Sequence, residues 1–382
     1  VFDWDRFEAE LCDALVTEVA DLQWRAVALI DPCSDEAGVI TAPYLGPSAE
    51  SESMVDDWAP EALMDALTAE ACSGRIEHWD AVLTRYEDAL VRICHRAGER
   101  LGVPVYLIDY ERYEETLRRC LTPAQVEELF PEVVAAEAER VRLAGLAPAE
   151  QITYYASRLG RFDGPINSEE AENALRGFGS AAIPALLPLL SRHDRAWYAA
   201  RLLAEVGVAD PLVLEALSTA VAKSERDSPA QLWPCRALAR LGRLDLVLAL
   251  ESRLSRQALA VAVAAPFTSF RDSDVHPIPL NYQPLEDFLI RYPEAAPDVA
   301  EELAPGRSYC AIAPSEVGEA VRGVGSPHVV VRKHAVIVLG EPDLGREAGE
   351  RVIPVLRAAA QSDPDSEVRR LADLSVQWWQ RR

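Results

Sequence analysis

A small α+β domain followed by an all-α solenoid is the architecture this 382-residue sequence predicts. Two patterns carry that expectation. Before residue 130, short β-rich runs alternate with amphipathic helical stretches, the order expected when helices pack on a small sheet. After residue 169, apolar helical segments recur with a glycine closing one and an aspartate opening the next, as in stacked helical hairpins. With 49% hydrophobic residues the chain can bury a core in each part.

In chain order, Trp4, Phe7, Leu11, Leu15 and Val19 recur every three or four positions, so residues 3–19 form an amphipathic helix. RAVALID (25–31) and GVITAPYL (38–45) are β-rich runs joined by DPCSDEA, consistent with a hairpin, and PVYLID (104–109) supplies a third strand. One helix starts near Pro60. Another carries Trp79, Val82, Leu83, Tyr86, Leu90, Ile93 and Leu101 on one face before Gly102. At LTPAQ, Thr122 can cap a helix, Pro123 can occupy its first turn, and Gln125 can reach back to the cap. Residues 1–130 therefore form the first domain and 131–168 a helical connector, with GRFDGPINSEE (160–170) as the hinge into residues 169–382.

Aligning ENALRGFG, RLLAEVG, CRALARLG and HAVIVLG on their last residue superposes Gly179, Gly207, Gly242 and Gly340. Ala174, Leu202, Ala237 and Ala335 stand five positions earlier; Asp210, Asp245 and Asp343 stand three positions later, with Ala182 the exception. Glycine can end a helix in the left-handed conformation and aspartate can cap the next. Pro211, directly after Asp210, suits a first helical turn. The spacing of the glycines implies that the array continues in degenerate form through 255–326.

VRKHA (331–335) and VRRLA (368–372) add a V-R-x-x-A pattern to the G-x-x-D turn. Together these motifs resemble the HEAT repeat family in its bacterial HEAT-like form, over roughly 169–254 and 327–382. The sequence departs from that pattern at Ala182, at Trp233-Pro234 and across 266–297. The resemblance implies an α-solenoid that binds other macromolecules. Less specifically, the order of a hairpin, WAPEALMDAL and LGVPVYLIDYERYEETL resembles uncharacterised bacterial domains among immunity proteins, which neutralise toxins encoded beside them; no functional residue is carried over from it.

Charge narrows the choice of partner. Residues 1–150 hold 32 acidic and 12 basic residues, net −20, whereas residues 151–382 hold 30 and 26, net −4. Binding nucleic acid requires a basic stripe that displaces counterions, and an anionic membrane makes the same demand, so neither is expected. The basic residues are almost all Arg, with Lys223 and Lys333 the two exceptions. The seven cysteines are scattered without CxxC, which points to reduced thiols in a cytosol rather than a disulfide framework. The opening VFDWDRFEAE has no basic region of a signal peptide, and the longest clean apolar run, 258–265, is short for a membrane span.

The sequence lacks HExxH, GxSxG, GxxxxGK[ST] and a complete GxGxxG, so no enzyme class, metal or cofactor is expected. Cys94-His95 could pair a nucleophile with a base, but adjacent helical residues diverge by about 100°. Asp272, Asp274 and His276 alternate as metal ligands on an extended segment could, but a solvated loop with a capping aspartate is the favoured reading. His78-Trp79-Asp80 reads as a helix start, with Trp79 in the core.

The stretch AESESMVDDW concentrates Glu50, Glu52, Asp56 and Asp57 without a basic residue and ends on Trp58. It lacks the oxygen spacing and turn glycine of a calcium loop. Alone it is a solvated loop. Set in the acidic part of the chain, and followed by an aromatic anchor, it is expected to face a basic protein. The expected function is thus non-catalytic protein binding, as an immunity-type inhibitor of a basic toxin or effector. A scaffold or adaptor whose solenoid binds a peptide is the alternative. A HEAT-like enzyme such as a DNA repair glycosylase is disfavoured, because it would need a basic concave face.

Overall fold

The structure, a computed structural model, describes residues 2–30, 40–48, 54–73, 76–110, 112–268, 278–304, 311–340 and 344–380. The chain forms two compact units, Val1–Glu139 and Arg140–Arg382.

In the first unit, α1 (Trp4–Val19) starts at Asp3, whose carboxylate accepts from the Arg6 amide, and buries the predicted stripe Trp4, Phe7, Leu11, Leu15 and Val19. Next come β1 (Val27–Ile30), β2 (Tyr44–Gly46), α2 (Glu61–Ala71), α3 (Ile76–Leu101) and β3 (Val105–Ile108). They are followed by α4 (Tyr113–Cys120), α5 (Pro123–Leu129) and α6 (Pro131–Ala144), the last spanning the boundary between units. The sheet order is β2-β1-β3. Leu29 of β1 pairs antiparallel with Leu45 and parallel with Leu107. β1 and β3 are buried at every position, which fits their unbroken apolar sequences. The parallel step from β1 to β3 needs a long crossover, and α2 and α3 lie within it. Thr122 and Gln125 form the predicted capping box at α5.

The second strand of the expected hairpin is only three residues long. Side chains claim the backbone just before it: the Ile40 amide donates to Thr68 Oγ1 at 3.0 Å, Tyr86 Oη donates to the Thr41 carbonyl at 3.3 Å, and the Trp58 indole donates to the Pro43 carbonyl at 2.6 Å. Groups bonded in this way are not available to a sheet ladder.

The second unit is a two-layer helical stack. Its helices are α7 (Pro148–Arg158), α8 (Ser168–Phe178), α9 (Ile183–Leu186, extended by a 3₁₀ turn to Ser191), α10 (Ala196–Val206), α11 (Pro211–Lys223), α12 (Pro229–Arg240) and α13 (Leu244–Leu248). There follow α14 (Arg256–Ala264), α15 (Gln283–Arg291), α16 (Ala296–Glu302), α17 (Val317–Val324), α18 (Val329–Val338), α19 (Gly345–Ser362) and α20 (Ser366–Gln380). The even-numbered helices form one layer, α8 on α10, then α12, α14 and α16, and α18 on α20. The odd-numbered helices form the other layer; α9, α11, α13, α17 and α19 each pack on the even helix that follows. Helices α14–α17 carry the stack through the degenerate stretch 255–326.

The turns follow the predicted logic only in part. Gly207 ends α10 at φ 73°, and Asp210 caps α11 by accepting from the Val213 amide at 2.9 Å. Gly242 is also left-handed, at φ 75°. Gly340 does not have positive φ; glycine is needed there because a Cβ would run into Ser375 Oγ. Asp245 does not cap α13: Arg243 holds that position and grips the Asp245 carboxylate at 2.9 and 2.8 Å. Asp343 lies outside the described residues.

The stretch 160–170 is not a hinge between units, because it joins α7 to α8 inside the second. Ile166 is fully buried, its carbonyl accepts from Arg158 Nε at 2.8 Å, and the Gly160 amide donates to Ser168 Oγ at 2.8 Å. Ser168–Ser191 is long and apolar enough by composition to cross a membrane, with mean hydropathy 1.3. It is interrupted at Gly179, φ 55°, and its two parts pack separately into the stack.

Candidate partner-binding surfaces

Glu50 and Glu52 lie outside the described residues. Asp56 and Asp57 are exposed on a turn held at both ends. On one side Val55 exchanges two backbone hydrogen bonds with Leu45, at 2.9 and 2.8 Å. On the other, Trp58 is only 6% exposed and packs in the core of the first unit. The expectation that Trp58 anchors a partner is corrected accordingly: its indole N–H is spent on Pro43, and its ring faces inward. What the turn presents to solvent is two carboxylates on a rigid base.

The arginines of the solenoid are largely engaged within it. Arg201 pairs with Glu172, Arg236 with Glu302 at 2.7 Å, and Arg332 with Asp363, each reaching between helices. Arg201 also lies over the Trp197 ring and Arg236 over the Trp233 ring, at 5.3 and 5.1 Å, with the two indoles 5.7 Å apart. Arg240 is buried, donating to the Ala265 carbonyl and to Thr268 Oγ1. Burial, with the nearby charge of Arg236, lowers its pKa to about 9. The even-numbered layer is thus occupied by its own stacking contacts.

The odd-numbered layer is different. Between α9, with its 3₁₀ extension, and α11 lies a groove of about 630 Å³ floored by Leu187, Leu190, Leu212, Ala216 and Ala220, with His193, Glu215 and Lys223 among its polar residues. A second groove, about 490 Å³, lies between α17 and α19 and is lined by Val321, Val324, Val355 and Ala358, with the paired Arg332 and Asp363 at its polar side. Leu212 on α11 and Ile290 on α15 are 68% and 70% exposed. Volumes of this order accommodate several side chains. The sequence gives a faint sign of this face: Leu212 is an apolar residue outside the buried stripe Val213, Leu214, Leu217 and Val221.

Of the sequence clusters, Cys94 and His95 do diverge. Cys94 is buried, whereas His95 is exposed and its Nε2 donates to the Arg119 carbonyl at 2.8 Å. Trp79 is half-buried against the core of the first unit, and the His78 ring meets the Glu70 carbonyl at 3.0 Å. Asp272, Asp274 and His276 lie outside the described residues. Among the described residues no group of three metal-ligating side chains converges. Cys94 does share a cavity that spacing could not reveal with Cys120, the last residue of α4. No protein-family model matches the chain, and no curated protein matches its sequence.

Proposed function

We propose that this protein is a non-catalytic scaffold or adaptor whose helical stack binds a protein partner through the grooves of its odd-numbered layer. The recurrence of a groove with apolar walls between consecutive odd-numbered helices carries the reading, since the Arg201–Glu172 and Arg236–Glu302 pairs engage the opposite layer. Solenoids use such repeated surfaces for extended contacts, and the HEAT-like motifs agree with that use. Apolar side chains of the partner would enter the grooves, while His193, Glu215 and Lys223 would orient its polar groups.

A second reading, inhibition of a basic protein in the manner of an immunity protein, draws on the net charge of −20 over residues 1–150 and on exposed Asp56 and Asp57. The two readings differ in salt dependence, because charge steering fades as the Debye length shortens and apolar insertion does not. The test is capture from lysate at low and high salt with three baits: the native chain, Leu212→Asp with Ala358→Arg, and Asp56→Asn with Asp57→Asn. Asp is well placed in the first turn of α11, so Leu212→Asp should leave folding intact. A partner held at high salt and lost to the groove variant supports the scaffold. One released by salt and weakened only by the Asn variant supports the inhibitor and overturns the scaffold.

A further inference from the structure

We propose that α11 is a self-pairing face, through which two copies of this chain associate about a two-fold axis at Thr219. The inference rests on the odd-numbered layer being a binding face, and it names the occupant of the groove between α9 and α11: a second copy of the same groove.

Leu212, Ala216, Thr219 and Lys223 recur at spacings of four, three and four residues, and Glu215 stands four before Thr219. Residues so spaced share one face of a helix, and all five line the groove. Leu212, Glu215, Thr219 and Lys223 are exposed, while Val213, Leu214, Leu217 and Val221 bury the other side of α11 in the core. Most charged side chains of the stack are spent on neighbours, but Glu215 and Lys223 make no hydrogen bond or ion pair among the described residues. The only other lysine in the chain, Lys333, meets Asp365 at 4.0 Å.

The two free charges are placed symmetrically. Glu215 comes four residues before Thr219 and Lys223 four after it. At the rise of an α-helix each lies about 6 Å from Thr219 along the axis. A two-fold axis through Thr219 therefore runs two copies of α11 antiparallel and sets Glu215 of each opposite Lys223 of the other. One sequence supplies both halves of two ion pairs, which is the self-complementarity that an isologous interface requires. A parallel pairing would set glutamate on glutamate and lysine on lysine, so the charges select the antiparallel one. That arrangement also opposes the two helix dipoles. Ala216, Thr219 and Ala220 are small, which lets the helix axes approach to about 8 Å. Leu212 then lies beside the aliphatic stem of Lys223 of the second copy, and a leucine otherwise 68% exposed is covered. One helix face per copy is a small interface, so the association is reversible and depends on concentration.

The test is sedimentation equilibrium of the full chain from micromolar to submillimolar concentration, with melts to confirm that each variant is folded. The native chain should pass from monomer to dimer. Glu215→Lys opposes lysine to lysine at both ends and Lys223→Glu opposes glutamate to glutamate, so each alone should associate about tenfold more weakly. Mixed in equal amounts, the two should pair with each other. Glu215→Lys and Lys223→Glu in one chain should pair with itself as the native chain does. A native chain that stays monomeric overturns the proposal, as does a dimer indifferent to the single reversals or one that they weaken without recovery in the mixture. The scaffold reading is judged separately through Ala358→Arg, which leaves α11 untouched: a partner captured by the native chain and lost to that variant upholds the scaffold even where the chain is a monomer.

Discussion

Arg332 of α18 and Asp363, at the end of α19, form a buried two-pronged ion pair, Nε to Oδ2 at 2.8 Å and Nη2 to Oδ1 at 3.1 Å. The same guanidinium donates from Nη1 to the carbonyls of Ser326 and Pro327, six and five residues earlier. Arg369, in the next V-R-x-x-A segment, does likewise with the carbonyls of Asp363 and Pro364, six and five residues earlier. The repeated arginine therefore secures the turn before its own helix, and Asp363 ties one repeat to the next. The signature arginines act in stacking, which explains their recurrence without any ligand.

Breaking this pair should be costly. Asp363→Ala leaves a buried guanidinium without its carboxylate, and we expect a loss of about 3 kcal/mol in urea denaturation. Arg332→Met with Asp363→Leu should recover much of that, because neither charge is then left buried. A loss below about 0.5 kcal/mol for Asp363→Ala, the range of ordinary surface changes, would mean that the pair does not hold the stack.

The same carboxylate sets a pH dependence. Burial alone would raise the pKa of Asp363, but hydrogen bonds from Arg332 and the Asp365 amide, with the charges of Arg332 and Arg369, bring it below its ordinary 3.8. Above that ordinary value both folded and unfolded chains carry the ionised group, so its contribution to stability is complete. As pH falls below it, the unfolded chain takes up the proton first and the contribution is lost. The melting-temperature advantage of the native chain over Asp363→Asn should be constant from pH 7 to 5 and shrink in more acidic solution. An advantage that grows on acidification would contradict the assignment.

Two glycines at equivalent turns should respond differently to alanine. Gly207→Ala places a side chain at φ 73°, costing about 1 kcal/mol whatever surrounds it. Gly340→Ala instead drives a Cβ into Ser375, costing about 1–3 kcal/mol as overpacking. Ser375→Gly should therefore relieve Gly340→Ala and leave the cost of Gly207→Ala unchanged. A double-mutant cycle by denaturation measures both couplings.

Features written in local patterns were legible. The stripe Phe7–Leu11–Leu15, the Thr122 capping box and the Gly207–Asp210 turn each lie within a few residues, where periodicity and capping rules apply. Contacts set by tertiary packing were not. Nothing near Gly340 announces Ser375, nothing near Cys94 announces that Cys120 lines the same cavity, and GVITAPYL reads as a full strand until Thr68, Tyr86 and Trp58 take its backbone groups. The hinge at 160–170 failed for the same reason: its polar composition conceals Ile166, which is fully buried in the core of the second unit. The grooves of the odd-numbered layer leave a weak trace because their walls come from different repeats.

The acidic turn and its tryptophan should separate by measurement. Trp58 fills the core of the first unit and donates to Pro43, so Trp58→Ala removes a large buried ring and strands a carbonyl. We expect about 3–5 kcal/mol of destabilisation. Trp58→Phe restores most of the volume without the donor and should fall between. Asp56 and Asp57 are solvated, so replacing both by Asn should shift stability by no more than about 0.5 kcal/mol. If the turn helps attract a basic partner, the Asn variant should instead slow association and flatten its salt dependence while leaving dissociation alone, because long-range fields act on encounter. Kinetics at two salt concentrations, set beside melts of the same variants, distinguish these roles. An association rate unchanged by Asp56→Asn with Asp57→Asn would confine the turn to solubility and leave the solenoid grooves to carry recognition.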